Sequence, residues 1–217
     1  MTRVKFDSSL IPNHPDLSYE TSLWQSGLTY VAGIDEAGRG ALAGPVAVGV
    51  VVLPHDVRDL HQILAGVRDS KQMRPLERAQ WAVVIKHTAA AWAVAYSSAQ
   101  EIDALGIAAG VRLAAKRAVE SLSLAPQHLL VDYIRLPQIK LPQTALVKGD
   151  ARVLSIACAS VLAKTERDAL MCAYEDNGFA GYGFAQHKGY GTRQHFAALK
   201  ALGACDQHRK SFRPIKS

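Results

Sequence analysis

Residues 30–54 read YVAGIDEAGRGALAGPVAVGVVVLP, two apolar runs joined by a glycine-rich segment. Apolar and β-branched runs separated by glycines predict two largely buried strands connected by a turn. The first run ends in two adjacent acids, Asp35 and Glu36. Because neighbouring residues of a regular strand point to opposite faces, these carboxylates can share one site only where the strand bends or ends, which Gly33 and Gly38 permit.

The rest of the chain alternates between helical and strand patterns. Apolar residues at helical spacing predict helices over residues 74–90, 107–122 and 150–177. Shorter apolar runs predict three further strands, over residues 91–99, 128–133 and 144–148. Hairpin-like strands first and helix-separated strands later indicate an α/β fold, with a mixed five-stranded sheet flanked by helices.

Length and composition predict a single domain over residues 1–217, which opens with an irregular, polar lead-in over residues 1–29. The formal charge of +6 and the pI of about 9.3 favour anionic partners without identifying one. The N-terminal residues contain no apolar core of signal-peptide length, and the longest apolar run, residues 46–53, is too short to span a bilayer. Three widely spaced cysteines match neither a disulfide framework nor a zinc site, so we expect reduced thiols in a cytoplasmic protein.

Carboxylates stand at or near the ends of three predicted strands. Asp35 and Glu36 end the first strand, Asp132 ends the fourth and Asp150 follows the fifth. If these strand ends lie side by side, the four acids converge. Gathered carboxylates repel one another and are costly to desolvate, so they imply a cation, and all-oxygen ligation suits Mg²⁺ or Mn²⁺. Taken alone, Asp150 fits better as the N-cap of the helix that follows it.

The segment GRGALA, residues 38–43, also satisfies the dinucleotide-binding pattern G-x-G-x-x-G/A. That pattern has to open a helix, whereas Pro45 and the β-branched run after it predict a strand. A flexible hairpin turn would explain the glycines but not Arg39. Alternatively, backbone N–H groups exposed by Gly38 and Gly40 can meet a phosphate or a sugar hydroxyl, with Arg39 as a nearby cation.

These segments together resemble bacterial ribonuclease HII, a family with the ribonuclease H fold. The matching segments occur in order along most of the chain: GIDEAGRG at 33–40, DSK at 69–71, LLVD at 129–132, VKGDARV at 147–153, SVLAKTERD at 160–168 and YGFAQHKGYGT at 182–192. The resemblance implies a ribonuclease H-like sheet with a small C-terminal helical segment, over about residues 180–217, that contacts substrate. It further implies an endoribonuclease that cuts the RNA strand of RNA–DNA hybrids and incises duplex DNA on the 5′ side of embedded ribonucleotides. In this family two Mn²⁺ or Mg²⁺ ions take part, and the products carry a 3′-hydroxyl and a 5′-phosphate. No membrane and no obligate protein partner are expected.

Carried over residue by residue, the resemblance assigns nine positions. It makes four acids both catalytic and metal-binding: Asp35, Glu36, Asp132 and Asp150, with Asp35 as the expected bridging ligand. It makes five residues substrate contacts: Gly38, Arg39 and Gly40 at the ribose 2′-hydroxyl, Tyr190 on the next sugar, and Lys71 on a phosphate.

The chain departs from the family pattern in two places. Tyr133 and Ile134 follow Asp132 where the family usually has Gly-Asn, which can alter metal preference or substrate register. Gly191 follows Tyr190 where a proline is usual, which loosens the backbone beside that ring. Neither change removes a catalytic group.

Other candidates stay open at the level of sequence. Lys148 and Lys164 are phosphate contacts or ordinary surface lysines, and for Lys164 a structural role has at least equal weight. His187 fits a hydrogen bond to backbone or phosphate better than metal ligation. Residues 208–214, HRKSFRP, read as a solvated basic tail that can also follow a phosphate backbone. A catalytically silent hybrid-binding module is the rival function, and the four retained acids argue against it, because negative charge in a groove opposes phosphate binding. A third candidate function, a nucleotide-dependent dehydrogenase, is supported by the G-x-G-x-x-G/A pattern alone.

Overall fold

The structure is a computed structural model that describes residues 6–7 and 11–215. Its centre is one five-stranded sheet with the strand order β3-β2-β1-β4-β5. The strands are β1 Val31–Ala37, β2 Val46–Val52, β3 Ala91–Ser97, β4 His128–Asp132 and β5 Gln143–Leu146. β1 and β2 pair antiparallel, as do β2 and β3, whereas β4 and β5 run parallel to β1. The predicted mixed five-stranded sheet is therefore confirmed.

Helices cover both faces of the sheet. Their bounds are α1 Ser18–Gln25, α2 Leu60–Ile63, α3 Pro75–Thr88, α4 Ala99–Leu105, α5 Ile107–Glu120, α6 Leu154–Asp176, α7 Phe184–His187 and α8 Arg193–Leu202. Side chains alternate along each strand, so Val50 packs with the α5 cluster on one face while Val51 packs with α3 and α6 on the other. Both residues are fully buried.

Two glycines let α6 lie directly against the middle of the sheet. A Cβ atom on Gly33 would lie 2.2 Å from the Ser155 carbonyl carbon, and one on Gly49 would lie 2.3 Å from the Ala159 carbonyl oxygen. Contacts this short are excluded for real side chains, so the glycines are required by the close approach of the helix. α6 thereby runs across the strands that carry the acids.

The irregular lead-in predicted for residues 1–29 is wrong over α1, Ser18–Gln25. The helix forms because Tyr19, Leu23 and Trp24 pack against a buried cluster of β1, β4 and α6 residues, although the segment has little apolar periodicity of its own. Glu20, on the same helix, is fully buried and accepts a hydrogen bond of 2.8 Å from the Ser155 N–H.

The N-cap prediction for Asp150 is also wrong. Asp150 lies in a 3₁₀ turn, Gly149–Ala151, and α6 begins only at Leu154, after Val153 as its N-cap. The strand predicted over 144–148 ends at Leu146, because Lys148 adopts a left-handed backbone conformation with φ 54°. This turn frees the Asp150 side chain from a capping role.

The C-terminal segment docks on α6 through α7, α8 and an aromatic cluster. Phe184 is fully buried and packs with Met171 of α6 and Ala43 of the loop after β1. Within residues 6–7 and 11–215, no helix is both long and apolar enough to cross a membrane.

Candidate active site

The sheet topology brings the predicted acids to one edge. Asp35 and Glu36 lie near the end of β1, and Asp132 ends β4, the parallel neighbour of β1. Asp150 follows the end of β5, which runs parallel to β4. Because parallel strands end at the same edge of a sheet, the four carboxylates face one region. Asp35 and Asp150 are buried there, with only 4% and 7% of their surface exposed.

A cavity of about 490 Å³ opens at this edge. It is lined by three of the acids, by the glycine-rich loop and by basic and aromatic side chains, among them Asp35, Glu36, Asp132, Arg39, Lys71 and Tyr190. The structure thus places the catalytic and substrate-contacting residues predicted from the sequence around one space, with Asp150 lining the adjoining cavity.

The electrostatics of the acids are unfavourable without a cation. Burial, followed by repulsion from Glu36 and Asp132, raises the pKa of Asp35 well above its ordinary value. Burial, followed by repulsion from Asp150, raises the pKa of Asp132 to about 6. The pKa values of Glu36 and Asp150 are also raised, chiefly by burial. Each carboxylate therefore gives up hydration and gains negative neighbours, so a bound cation would relieve the site.

Two side-chain cations partly neutralise the rim. Arg39 Nη1 lies 3.4 Å from Glu36 Oε1, and Lys71 Nζ lies 3.5 Å from Asp150 Oδ2. Both basic side chains are solvent-exposed, so these ion pairs are weak. Among the described residues, no three Asp, Glu, His or Cys side chains are already close enough together to hold a metal ion.

The residues fit a hard divalent cation in one specific respect. By distance and angle, Oδ2 of the buried Asp35 has no hydrogen-bond partner among the described residues, and Oδ1 accepts a bond of 2.7 Å from the Glu36 N–H. The nearby Ser160 hydroxyl lowers the pKa of this carboxyl but does not offset the effect of burial. A buried oxygen without a partner is expensive unless a ligand satisfies it. Carboxylate oxygens with no nearby thiolate or imidazole suit Mg²⁺ or Mn²⁺.

Main-chain groups of the loop over Gly38–Gly40 border the same cavity. The carbonyls of Gly38 and Arg39 accept hydrogen bonds of 2.7 Å and 2.9 Å from Arg209. In a trans peptide the N–H points opposite to the carbonyl, so the N–H groups of Arg39 and Gly40 face away from Arg209. A Cβ on Gly40 would meet nothing within 4 Å, which leaves room for a ligand beside that residue.

Tyr190 lines the same cavity as this loop. Its ring is 36% exposed, and two cations lie against it, Lys164 Nζ at 5.5 Å and Arg167 Cζ at 5.6 Å from the ring centre. Lys164 also forms an ion pair of 2.6 Å with Asp168. The structure therefore places Lys164 both in a supporting ion pair and on the wall of the cavity.

Two fully buried arginines, Arg167 and Arg209, were not identified from the sequence. Arg167 donates hydrogen bonds to the carbonyls of Ala43, Pro45 and Lys188, and so joins the glycine-rich loop to the loop that carries Tyr190. The sequence feature that could have indicated Arg167 is its position one helical turn after the candidate residue Lys164 on α6. No comparable sequence signal indicated Arg209, because it lies in the basic segment 208–214, which was interpreted as a solvated tail. The solvated-tail interpretation of that segment is wrong for His208 and Arg209, which are only 1% and 0% exposed.

Three of the eight histidines, His187, His195 and His208, form a structural cluster. His187 Nε2 lies 2.8 Å from the Tyr182 carbonyl, so it bonds to backbone as one of the sequence interpretations expected. His195 Nδ1 lies 3.0 Å from the Tyr190 carbonyl, and its Nε2 lies 3.0 Å from Nε2 of His208. This chain of contacts ties the backbone of Tyr190 to the C-terminal segment.

Comparison with known proteins shows which family the chain belongs to. A family model described as Ribonuclease HII matches residues 32–215. The chain is 50% identical over 200 residues to a Ribonuclease HII of Anaeromyxobacter sp. (strain Fw109-5), which covers 92% of this chain and 62% of that protein. It is 48% identical over 196 residues to a Ribonuclease HII of Moorella thermoacetica, which covers 90% of this chain and 92% of that protein.

Solved structures with the same fold are more distant in sequence. Ribonuclease H2 from Pyrococcus horikoshii OT3 superposes with a TM-score of 0.69 at 24% identity, over 86% of this chain and 95% of that one. Bst-RNase HIII in complex with Mn²⁺ superposes with a TM-score of 0.65 at 18% identity, over 90% of this chain and 70% of that one. These two likenesses establish the fold alone. By its family match and its relatives, the chain belongs to the ribonuclease HII family and is a ribonuclease H enzyme, an endonuclease for RNA–DNA hybrids.

Proposed function

We propose that this enzyme also incises duplex DNA on the 5′ side of an embedded ribonucleotide, with Asp35, Glu36, Asp132 and Asp150 as its catalytic, metal-binding acids. The observation that carries the proposal is the single cavity in which buried, mutually repelling carboxylates adjoin a glycine-rich loop with available N–H groups. The acids suit a cation, and the loop suits a sugar hydroxyl. Only a substrate with both a scissile phosphate and a ribose uses both features.

The four acids would hold divalent ions, Mn²⁺ or Mg²⁺, as the structure of Bst-RNase HIII with Mn²⁺ suggests by its shared fold. Such ions, when bound, activate the attacking water and stabilise the leaving oxygen. The protein's part is to hold its carboxylates rigidly. Asp35 is fixed by the Glu36 N–H, and Asp132 Oδ1 accepts a bond of 2.7 Å from the Gly149 N–H. Attack by the water on the phosphorus and departure of the 3′ oxygen would leave a 3′-hydroxyl and a 5′-phosphate.

Recognition of ribose would come from the backbone. The 2′-hydroxyl is the chemical difference between ribose and deoxyribose, and it both donates and accepts hydrogen bonds. The loop over Gly38–Gly40 can approach it closely, because Arg209 holds the carbonyls of Gly38 and Arg39 back and no side chain stands at Gly40. Tyr190 would pack on the next sugar, where a second 2′-hydroxyl would crowd the ring.

Phosphates on either side would meet the cavity's basic residues. Lys71 lies at the rim with 71% of its side chain exposed, which suits a contact with a substrate phosphate. The formal charge of +6 favours association with a nucleic-acid duplex in a salt-dependent manner. Lys71 would then exchange its ion pair with Asp150 for a phosphate once a metal ion occupies the acids.

The decisive experiment is cleavage of an end-labelled DNA duplex that contains one ribonucleotide, with Mn²⁺, with Mg²⁺ and with a chelator. We expect a single metal-dependent cut on the 5′ side of the ribonucleotide and none in an all-DNA duplex. Cleavage of a full hybrid but not of this duplex would contradict the proposed incision. Metal-independent binding without any cleavage would instead support a silent hybrid-binding module.

A further inference from the structure

A second cavity, of about 430 Å³, adjoins the first. The two cavities share the walls formed by Lys71 and Asp132. The second cavity is also lined by Tyr133 and Lys148, which do not line the first and which follow the ends of the neighbouring strands β4 and β5. The surface that carries the acids therefore continues past Asp132 toward an aromatic ring and a cation.

Both of these residues adopt a backbone conformation that side chains rarely tolerate. Tyr133 has φ 58° and Lys148 has φ 54°, in the left-handed region that favours glycine. Backbone hydrogen bonds hold Tyr133 there. The Tyr133 N–H donates to the Leu146 carbonyl at 2.8 Å, and the Ile134 N–H donates to the Asp132 carbonyl at 2.6 Å. A bulky residue in this conformation costs free energy, and such strain clusters at functional sites.

Packing within the chain does not explain the ring at position 133. Tyr133 is 63% exposed, the largest exposed fraction among the aromatic side chains of the described residues. Lys148 is also exposed, and in the described part of the chain it forms no ion pair. An exposed ring and a free cation beside a nucleic-acid-cutting site are the combination that binds a nucleic-acid strand.

We propose that Tyr133 and Lys148 bind the nucleotide on the 5′ side of the scissile phosphate, the ring against its base and the lysine at its phosphate. The direction follows from the order of groups along the two cavities. Tyr190 and the Gly38–Gly40 loop take the ribonucleotide and the sugar after it, the acids take the scissile phosphate, and Tyr133 lies beyond Asp132. This inference rests on the proposed function.

Tyr133→Gly tests the ring without endangering the fold, because glycine suits the observed φ. We expect KM to rise about fivefold or more, as expected when a stacking contact is lost, with kcat within about twofold of wild type. The melting temperature should not fall, since the strain is removed. Tyr133→Phe, which restores the ring, should restore the low KM.

Lys148→Ala tests the cation. Its affinity for an uncleavable duplex should depend on salt with a slope reduced by about one unit, the expectation for one lost phosphate contact. Lys116→Ala is the matched control, because Lys116 lies on α5 in an exposed pair with Glu120. An unchanged slope for Lys148→Ala would remove the lysine from the proposal.

Removing the base of this nucleotide locates the contact. Two duplexes would carry the same ribonucleotide, preceded in the cut strand either by an ordinary deoxynucleotide or by an abasic deoxyribose. Wild type should cleave the duplex with the base at the lower KM, and Tyr133→Gly should lose most of that preference. If the variant keeps the full preference, or loses kcat with KM unchanged, Tyr133 does not bind this nucleotide. If wild type cleaves neither duplex with metal present, it is the proposed function that fails.

Discussion

Arg209 donates a hydrogen bond of 2.7 Å from Nη2 to the carbonyl of Gly38, 171 residues earlier in the chain. Two further bonds reach the carbonyls of Arg39, at 2.9 Å, and Gly44, at 3.0 Å. Burial, followed by repulsion from Arg167, lowers the pKa of Arg209 to about 9. A cation is thus buried beneath the glycine-rich loop, and its partners are backbone carbonyls.

Arg209→Lys should misplace the loop while keeping the charge. An ammonium group cannot reproduce the three-pronged geometry of the guanidinium. Loss of bonds to a charged donor is worth about 2 kcal/mol, so we expect kcat/KM to fall about tenfold or more and the melting temperature to drop by a few degrees. Arg213→Lys, at an exposed neighbour, is the control. Wild-type kcat/KM in Arg209→Lys would show that the loop positions itself.

Asp35→Asn should abolish cleavage and leave the fold intact. The amide removes a buried charge that Glu36 and Asp132 repel, so without metal the variant should melt at or above the wild-type temperature. Loss of a proposed metal ligand should reduce kcat at least about 100-fold, the upper end of what altering a supporting group costs. Added Mn²⁺ should raise the melting temperature of wild type more than that of the variant. Near-normal turnover in Mg²⁺ would disprove the metal role of Asp35.

Tyr190→Ala should change selectivity more than total activity. If the ring packs on a deoxyribose after the ribonucleotide, its loss affects a lone ribonucleotide in DNA and not an all-RNA strand. We therefore expect a larger fall in kcat/KM for the first substrate, measured on duplexes of equal length at matched salt and metal. Equal losses on both substrates would make Tyr190 a general binding residue, held by Lys164 and Arg167.

Gly40→Val should impair both substrates without unfolding the enzyme. The first carbon of the added side chain meets no protein atom, since a Cβ at Gly40 has nothing within 4 Å. It would instead obstruct the approach of the ribose. Gly38→Ala is the informative contrast, because its Cβ would lie 1.9 Å from Arg167 Nε and its φ is 85°. That variant should lose melting temperature as well as activity, whereas Gly40→Val should lose activity alone.

Because His208 is buried, we expect the folded protein to lose stability in acid. Burial, followed by repulsion from His195, lowers its pKa to about 4, below the ordinary value of about 6.5. As the pH falls, the unfolded chain therefore binds a proton at His208 before the folded protein does. The contribution of neutral His208 to the free energy of unfolding is complete above about pH 6.5 and is lost as the pH falls toward 4, by about 3 kcal/mol at most. His195, Cys205 and the rings of Tyr182 and Phe184 contact the imidazole of His208, and His187 adds electrostatic repulsion.

The measurement compares the free energy of unfolding of wild type and His208→Gln between pH 4 and pH 7. The difference between the two proteins is the required quantity, because Glu20 acts in the opposite sense. Burial raises the pKa of Glu20 to about 7, so its contribution falls as the pH rises from about 4.5 to 7. Parallel curves for the two proteins would show that His208 does not titrate in this range.

Local pattern was sufficient for the sheet and for the acids. Strands are specified by short apolar runs and the end of the first strand by glycine, so the placing of Asp35, Glu36 and Asp132 at strand ends followed from nearby residues. It was insufficient for α1, whose helical form depends on contacts of Tyr19 and Trp24 with a distant cluster. The local pattern was also insufficient for Asp150. Its residue type and position favour a helix N-cap, whereas the 3₁₀ turn in which it lies is set by how β5 connects to α6.

The sequence by itself determined the alternation of strands and helices, the acids at the strand ends and the glycines of the loop, because each depends on the conformational preferences of residues close in the chain. Only the tertiary structure decided what holds that loop. Arg167 and Arg209 look like ordinary basic residues until folding removes them from water. Once buried, each guanidinium must find acceptors, and the carbonyls of the Gly38–Pro45 loop supply them across 122 to 171 residues of chain.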